Sequence, residues 1–321
     1  MRFVTAAGVR LSAIGVGTWQ FGSREWGYGT DYAESGAAAI VERALDLGVN
    51  LIDTAEIYAF GQSEKIVGRA IAHRRQDAFV ASKVFPVAPV PPVVVQRGKA
   101  SRGRLGIDAI DLYQLHWPNP LVPLSVQTAG LRTLLDEGVV RHVGVSNYSL
   151  DRWKAAQTAL GRPVLSNQVQ YSLAVPGPGK DLVPWAAGND RVVIAYSPLA
   201  QGFLSGKYNE TNAPSGVRAG NPLFLPDNLR RAAPMLDALR EIAKSHDATP
   251  AQVALAWVIR RPNVVAIPGA SSVGQLEQNV AAADIELSED DDARLTATSD
   301  AFRPVKGLAS VPQLARQRLR R

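Results

Sequence analysis

The sequence predicts an α/β protein: a (β/α)8 barrel of the TIM type, with a short N-terminal hairpin ahead of it and a long loop after the seventh barrel strand. Three observations predict it. Eight short apolar runs end near Thr18, Asp53, Lys83, His116, Ser146, Gln170, Tyr196 and Ile267. Most successive runs are separated by one stretch with helical apolar spacing, the rhythm of βα units. No linker-like shift of composition divides the 321 residues, so residues 1–321 are expected to form a single barrel domain ending in a basic tail, 303–321. A two-domain dinucleotide-binding architecture competes poorly, because Gly15, Gly17 and Gly22 do not follow the G-x-G-x-x-G spacing.

Residues 2–12 alternate around Gly8 and read as the hairpin. Residues 14–18 are a short apolar strand, followed by WQFGSREWGYGT, a loop rich in glycine and aromatics. Helix 33–47 presents Ile40, Val41, Ala44, Leu45 and Leu47 on one side and stops at Gly48. Strand 49–53 and helix 63–72 come next. Strand 78–83 leads into a proline-rich loop, 86–92, and a helix over 93–104. Then follow strand 109–116, helix 123–137, strand 139–147, helix 149–159, strand 164–171 and helix 180–187. The seventh run lies in 191–202, and segment 203–229 shows little periodicity. Helices 230–245 and 249–260, the strand and turn 264–272, and helix 272–282 complete the pattern.

Composition narrows the chemistry. The apolar fraction of 46% and charged fraction of 20% are ordinary for a chain with a real core. The absence of cysteine excludes disulfides, zinc–thiolate sites and cysteine nucleophiles, and the four histidines are too scattered to suggest a metal cage; no metal is expected. The net charge of +6 resides in Arg303, Lys306, Arg316, Arg318, Arg320 and Arg321, so residues 1–302 sum to zero. A neutral body with a short basic tail argues against a nucleic-acid surface. The N-terminus carries no basic segment followed by a long apolar run, and no window has the length of a membrane span. A cytoplasmic protein with no membrane partner is expected.

Asp53, Lys83 and His116 end consecutive strands, and Tyr58 follows the first of them after a short turn. In a barrel all four meet at the C-terminal mouth, where polar groups usually serve function. A phenol titrates near ~10. A nearby ammonium lowers that value, and a buried carboxylate keeps the ammonium charged. The phenol is then expected to donate a proton to a carbonyl oxygen, with the histidine orienting that carbonyl or relaying the proton. A plain Asp53–Lys83 ion pair that only stabilises the barrel is the alternative.

The segments DTAEIYAFGQSEKIVG, ASK, LYQLHWP, GVSNYS, QVQYS, AYSPLAQGFLSGKY and IPGASSVGQLEQN together resemble the aldo-keto reductase superfamily, from about Gly15 to Asn279. The pattern stands nearest the potassium-channel beta-subunit-like and bacterial branches. The resemblance implies that Asp53, Tyr58, Lys83 and His116 are the catalytic tetrad, with Tyr58 as general acid, and that hydride comes from a bound nicotinamide. It places Gly17, Thr18, Trp19 and Asp53 beside the nicotinamide, and Ser146, Asn147 and Gln168 on its carboxamide. Tyr196 would stack on the ring, and Ser197, Pro198, Leu199, Gly202 and Ser205 would cover the pyrophosphate. At the adenosine end it implies Gly269, Ser271, Gln275, Gln278 and Asn279. Residues 262–283 hold no Lys or Arg for a 2′-phosphate, so Lys207 or Arg218 would supply the charge. NADPH (NADP+) is the expected cofactor, with NADH also possible.

The expected substrate is a small-molecule carbonyl, an aldehyde or ketone, held by Trp19, Phe21, Trp26, Tyr28, Tyr58, His116 and Trp117. Trp153, Trp185 and Trp257 are expected in the core, His142 as structural, and His73 and His246 as solvated. Two other functions compete: a nucleotide-binding regulatory subunit of the channel beta-subunit type, and a metal-dependent barrel hydrolase, which the residue types disfavour. Oligomeric state is not legible.

Overall fold

The computed structural model describes residues 1–29, 33–209 and 212–310, apart from the side chains of Trp26, Leu308 and Ala309. The hairpin is present as β1 (Phe3–Ala6) and β2 (Val9–Ser12), with Phe3 opposite Ser12. Ala7 and Gly8 turn it at φ of 49° and 75°, the two left-handed residues that a two-residue hairpin loop requires.

Eight parallel strands follow: β3 (Val16–Gly17), β4 (Leu51–Asp53), β5 (Phe79–Val84), β6 (Ile110–Leu115), β7 (Val140–Ser146), β8 (Ser166–Gln170), β9 (Val192–Tyr196) and β10 (Val264–Ile267). Each pairs with the next in sequence order, and the bridges Ile14–Ala266 and Gly17–Gly269 join the last to the first. This seam needs glycine. A Cβ on Gly15 would stand 2.8 Å from the Leu51 carbonyl oxygen, and one on Gly17 2.7 Å from that of Ile267. Any side chain there would push the first strand off its neighbours.

Alternation along the strands sorts their residues. Leu51, Ala81, Leu112, Ile194 and Val265 fill the barrel interior, and Ala6, Val9 and Leu11 of the hairpin pack with them. Residues between them, such as Ile52, Val80, Tyr113, Val143 and Val193, join the larger core under the helices. The inward faces then continue towards the C-terminal ends. Two residues beyond Leu51, Ala81 and Ile194 stand Asp53, Lys83 and Tyr196, and His116 follows Leu112 on the same face of its strand.

The helices are α1 (Glu34–Asp46), α2 (Gln62–Ile71), α3 (Pro91–Leu105), α4 (Leu124–Asp136), α5 (Leu150–Leu160), α6 (Leu182–Gly188), α7 (Pro226–Ser245), α8 (Pro250–Ile259), α9 (Val273–Ala281) and α10 (Glu289–Ala301). The proline-rich loop proves shorter than expected. Pro91 and Pro92 occupy the first helical positions of α3, where a missing N–H costs nothing. Pro226 likewise opens α7 four residues before the expected start. Segment 203–229 contains short 3-10 turns, Gly216–Gly220 and Pro222–Phe224, and buries Phe224.

Helix α10 was not expected, because its apolar periodicity is weak: only Leu295 and Ser299 are buried. It packs on α7, and His246 at the end of α7 pairs with Asp291 at 3.1 Å. His246 is therefore a contact between elements rather than a solvated end. His73 is exposed, while Trp153 and Trp257 are core residues and Trp185 packs against the core. His142 stacks on Phe79 at 6.3 Å. Of the basic tail, Arg303 and Lys306 are exposed, and Val305 donates its N–H to Asn228 Oδ1 at 2.7 Å. Residues 311–321, with Arg316, Arg318, Arg320 and Arg321, lie outside the described residues. No helix among the described residues is long and apolar enough to cross a membrane.

Candidate active site

Asp53 and Lys83 reach the barrel mouth with 1% and 0% of their surface exposed. Burial of both charges is tolerable because each is paired and hydrogen-bonded. Lys83 Nζ spends its three donors on Asp53 Oδ1 at 2.6 Å, the Thr54 carbonyl at 2.8 Å and the Tyr58 hydroxyl at 3.1 Å. The second oxygen of Asp53 accepts from Gln168 Nε2 at 2.7 Å. Burial raises the Asp53 carboxyl above the usual carboxylate range, against the pull of Lys83 and Gln168. Burial also works against the Lys83 ammonium, but Asp53 and the Tyr58 oxygen outweigh it and raise the Lys83 pKa. The pair is an ammonium–carboxylate bridge.

For Tyr58 the structure corrects the sequence-based expectation. Its pKa is raised, not lowered: burial disfavours the phenolate, and the attraction of Lys83 only partly offsets that loss and the repulsion from Asp53. The proton stays on the phenol until something takes it. His116 lies edge-on to Tyr58, ring centres 5.8 Å apart, and edge-on to Phe85 at 6.0 Å. Burial, then the Lys83 charge, push its imidazole pKa down to about 3, and its Nδ1 has no hydrogen-bond partner among the described residues. A neutral ring can orient a carbonyl, but it holds no extra proton to relay.

The residues expected to hold the carboxamide converge on the same mouth. Ser146 Oγ donates to the Gln168 carbonyl at 2.9 Å, and Ser146 pairs with Gln168 across β7 and β8. Asn147 sits in the left-handed region at φ 63°; its Nδ2 donates to the His116 carbonyl at 3.1 Å, and its Oδ1 accepts from the Tyr196 hydroxyl at 2.9 Å. Tyr196 keeps a half-buried ring at the end of β9. An aromatic face beside amide donors and acceptors fits a nicotinamide ring and its carboxamide. Gly17 and Thr18 lie at the end of the first strand with polar groups paired inside the protein. Thr18 is fully buried, its hydroxyl bonded to the Asp53 carbonyl and to Ser63, and the Gly17 N–H is spent on the Pro268 carbonyl.

The loop after β9 is built on left-handed residues, Ser197 at φ 48°, Ala200 at 48° and Gln201 at 59°. Pro198 is buried, Leu199 packs against the core, and Ser205 Oγ donates to the Gly202 carbonyl at 2.6 Å. Lys207 is exposed, and Arg218 Nε donates to the Gln201 carbonyl at 3.1 Å. At the far end Gly269 is exposed, and a Cβ there would stand 2.9 Å from Gln20 Oε1. The Ser271 N–H donates to Gln275 Oε1 at 2.9 Å, and Asn279 Nδ2 reaches back to the Gly269 carbonyl at 3.4 Å. Gln278 is exposed on α9. A phosphate at this helix end would have to displace the Gln275 amide oxygen from Ser271.

Of the expected substrate wall, Trp19 and Trp117 stand 49% and 46% exposed, and Trp19 lies edge-on to Tyr58 at 6.2 Å. Phe21 is a correction. It has no exposed surface and packs in the apolar core, so it offers no face to a ligand. Tyr28 is half-buried against the core, and the Trp26 side chain lies outside what is described.

Several residues bearing on the site were not singled out in the sequence. Phe85 faces His116. Glu56 accepts from the Phe85 N–H and from Arg97 Nε at 3.0 Å, tying the Tyr58 loop to the loop after Lys83. Ser63 and Glu64 open α2: Ser63 Oγ bonds the Thr18 carbonyl at 2.9 Å, and Glu64 bonds Ser82 and Arg104. Their signal was in the sequence, as a hydroxyl and an acid at the start of a helix directly behind Tyr58, but they read there only as a helix start.

Comparisons with known proteins bear on the family and the fold. Residues 13–300 match the model of the aldo/keto reductase family. An oxidoreductase of Mycobacterium bovis is 58% identical over the whole of both chains. Methylglyoxal reductase YeaE of Escherichia coli is 35% identical over 93% of this chain and 94% of its own length. Among solved structures, an aldo/keto reductase from Klebsiella pneumoniae in complex with NADP and acetate superposes with a TM-score of 0.74 at 32% identity, covering 95% of this chain and 96% of that one.

Proposed function

This chain belongs to the aldo/keto reductase family, and on that premise we propose that it reduces an aldehyde or ketone to the alcohol at the expense of NADPH, with Tyr58 as the proton donor. One observation carries the reading: the continuous hydrogen-bonded line from Gln168 through Asp53 and Lys83 to the Tyr58 hydroxyl, beside a neutral His116.

Each residue then has a defined task. The neutral His116 and the Tyr58 hydroxyl orient the carbonyl oxygen at the mouth. When bound, reduced nicotinamide would supply the hydride that the carbonyl carbon takes up. As negative charge grows on the oxygen, Tyr58 gives it the phenolic proton. The phenolate left behind lies 3.1 Å from the Lys83 ammonium. That charge is fixed and fully buried, and a preorganised charge in such a position is worth more than in solution. Asp53 keeps Lys83 charged and immobile, and Gln168 keeps Asp53 in place. Tyr196, Ser146, Asn147 and Gln168 would hold the nicotinamide end, and Ser271, Gln275, Asn279, Lys207 and Arg218 the phosphate end.

The test is Tyr58→Phe. Removing the proton donor should lower turnover of generic aldehydes by ~10²-fold or more, while cofactor affinity by fluorescence titration stays within about twofold. Unchanged turnover would remove Tyr58 from the mechanism.

A further inference from the structure

Directly after Tyr58 the chain makes a left-handed turn. Ala59 stands at φ 46°, ψ 43°, Phe60 at φ 53°, ψ 44°, and Gly61 at φ 82°, ψ 1°. Non-glycine residues avoid this region, and a run of two persists only where the surroundings impose it. Two contacts do so. Gly22 backs onto Ala59, whose Cβ would be 2.9 Å from a Cβ at Gly22. On the other side Gly61 rests on the Arg104 side chain, with Cδ and Nε both 2.7 Å from where a Cβ would be.

Arg104 is itself held. Its Nε donates to Glu64 Oε2 at 2.6 Å, and a terminal nitrogen donates to Ser101 Oγ at 3.0 Å. Glu64 is fully buried, and its Oε1 accepts from Ser82 Oγ at 2.5 Å. Ser82 precedes Lys83 on β5, and its side chain faces away from the barrel interior that Lys83 occupies. One buried carboxylate therefore ties the support beneath the Tyr58 turn to the strand that carries Lys83.

We propose that Glu64 and Arg104 are positioning residues that hold the Tyr58 hydroxyl within hydrogen-bond reach of Lys83. The proposal rests on the reductase reading for its consequence: proton delivery depends on that distance, now 3.1 Å, and a misplacement of about 1 Å costs a catalytic group on the order of 10²-fold. Neither residue touches the reacting atoms. The groups facing Tyr58 are Asp53, Lys83, His116, Tyr196 and the Trp19 ring, and substitution at 64, 82 or 104 leaves all five in the chain.

The experiment compares wild type with Arg104→Met, Arg104→Lys and Ser82→Ala. Steady-state reduction of 4-nitrobenzaldehyde with NADPH is measured alongside fluorescence titration of NADPH and a crystal structure of each protein. In Arg104→Met, kcat should fall at least tenfold with NADPH affinity unchanged, and the Tyr58 hydroxyl should be found beyond hydrogen-bond reach of Lys83. Arg104→Lys, which can still meet Glu64, should recover part of the loss, and Ser82→Ala should show a smaller loss. A lowered melting temperature with kcat and the Tyr58–Lys83 distance both unchanged would overturn the proposal and leave the pair a structural ion bridge. If the wild type itself turns over no aldehyde, the reductase reading fails. The crystallographic distance then decides the clamp alone: retained contact in Arg104→Met overturns it, and lost contact upholds it.

Discussion

A phenol that must surrender a proton does not need a low pKa if its conjugate base is stabilised where it forms. Tyr58 meets that condition. Burial keeps its proton on at rest, and Lys83 stands at hydrogen-bond distance, where it would stabilise a phenolate under the proposed mechanism. His116 is the sharper case. With its pKa pushed down to about 3, it gains a second proton only far below neutrality. An ordinary histidine would titrate near ~6.5. We therefore expect kcat/KM for aldehyde reduction to stay flat as pH falls through that value. The reverse oxidation needs phenolate as base, so its rate should climb with pH above neutrality. Pre-steady-state or steady-state pH profiles in both directions check this. An acid limb near ~6.5 in the wild type, absent when His116 is replaced by Asn, would show that the imidazole does carry a second proton.

At the scale of elements, the first turn of α2 does more than begin a helix. Ser63 bonds the ends of β3 and β4, and Glu64 bonds β5 through Ser82. Three consecutive strand ends are thereby stapled beneath the residues they deliver. Helix α10 packs on α7. Its start is a capping box in which Ser288 and Asp291 satisfy each other's backbone N–H groups. Ser288→Ala should cost ~1 kcal/mol in urea unfolding, with kcat unchanged, because the cap lies at the start of α10, at the far end of the helix from Ser299, which bonds the Leu173 carbonyl in the loop after β8. No loss of stability would mean that the Arg261–Asp292 and Trp257–Thr296 contacts hold the helix without its cap.

For the whole molecule, the main question is which dinucleotide the barrel selects. Residues 262–283 bring no cation to the far end of the mouth, and the Ser271 N–H is already bonded to Gln275. Selection for a 2′-phosphate would then depend on Lys207 and Arg218, cations carried by the segment after β9. A ligand that binds only the folded chain stabilises it by ~2.7 kcal/mol at 100 times its Kd. NADPH at that excess should raise Tm by several degrees, and equal NADH by clearly less. Lys207→Ala should narrow the gap. Equal shifts with both dinucleotides would take the phosphate role away from this loop.

The strand ends could be read from the chain because alternation and helix-length spacing are local properties. Asp53, Lys83 and His116 were therefore placed at one mouth by counting alone, and Tyr58 followed from its position after β4. Phe21 was misplaced because a loop aromatic looks the same in sequence whether it faces a ligand or the core. Helix α10 was missed because only one apolar residue, Leu295, is buried on it beside the polar Ser299, although its capping box was visible.

What the sequence determined by itself was the order of strands and helices and the identity of the chemical groups at the mouth, since both follow from residue type and spacing. Only the tertiary structure decided the protonation of Tyr58 and His116, because a pKa depends on burial and on charges brought from other strands. It also decided the pairing of Gln168 with Asp53 across 115 positions and the seating of Arg104 beneath Gly61. Those contacts join residues far apart in the chain, and no local pattern encodes them.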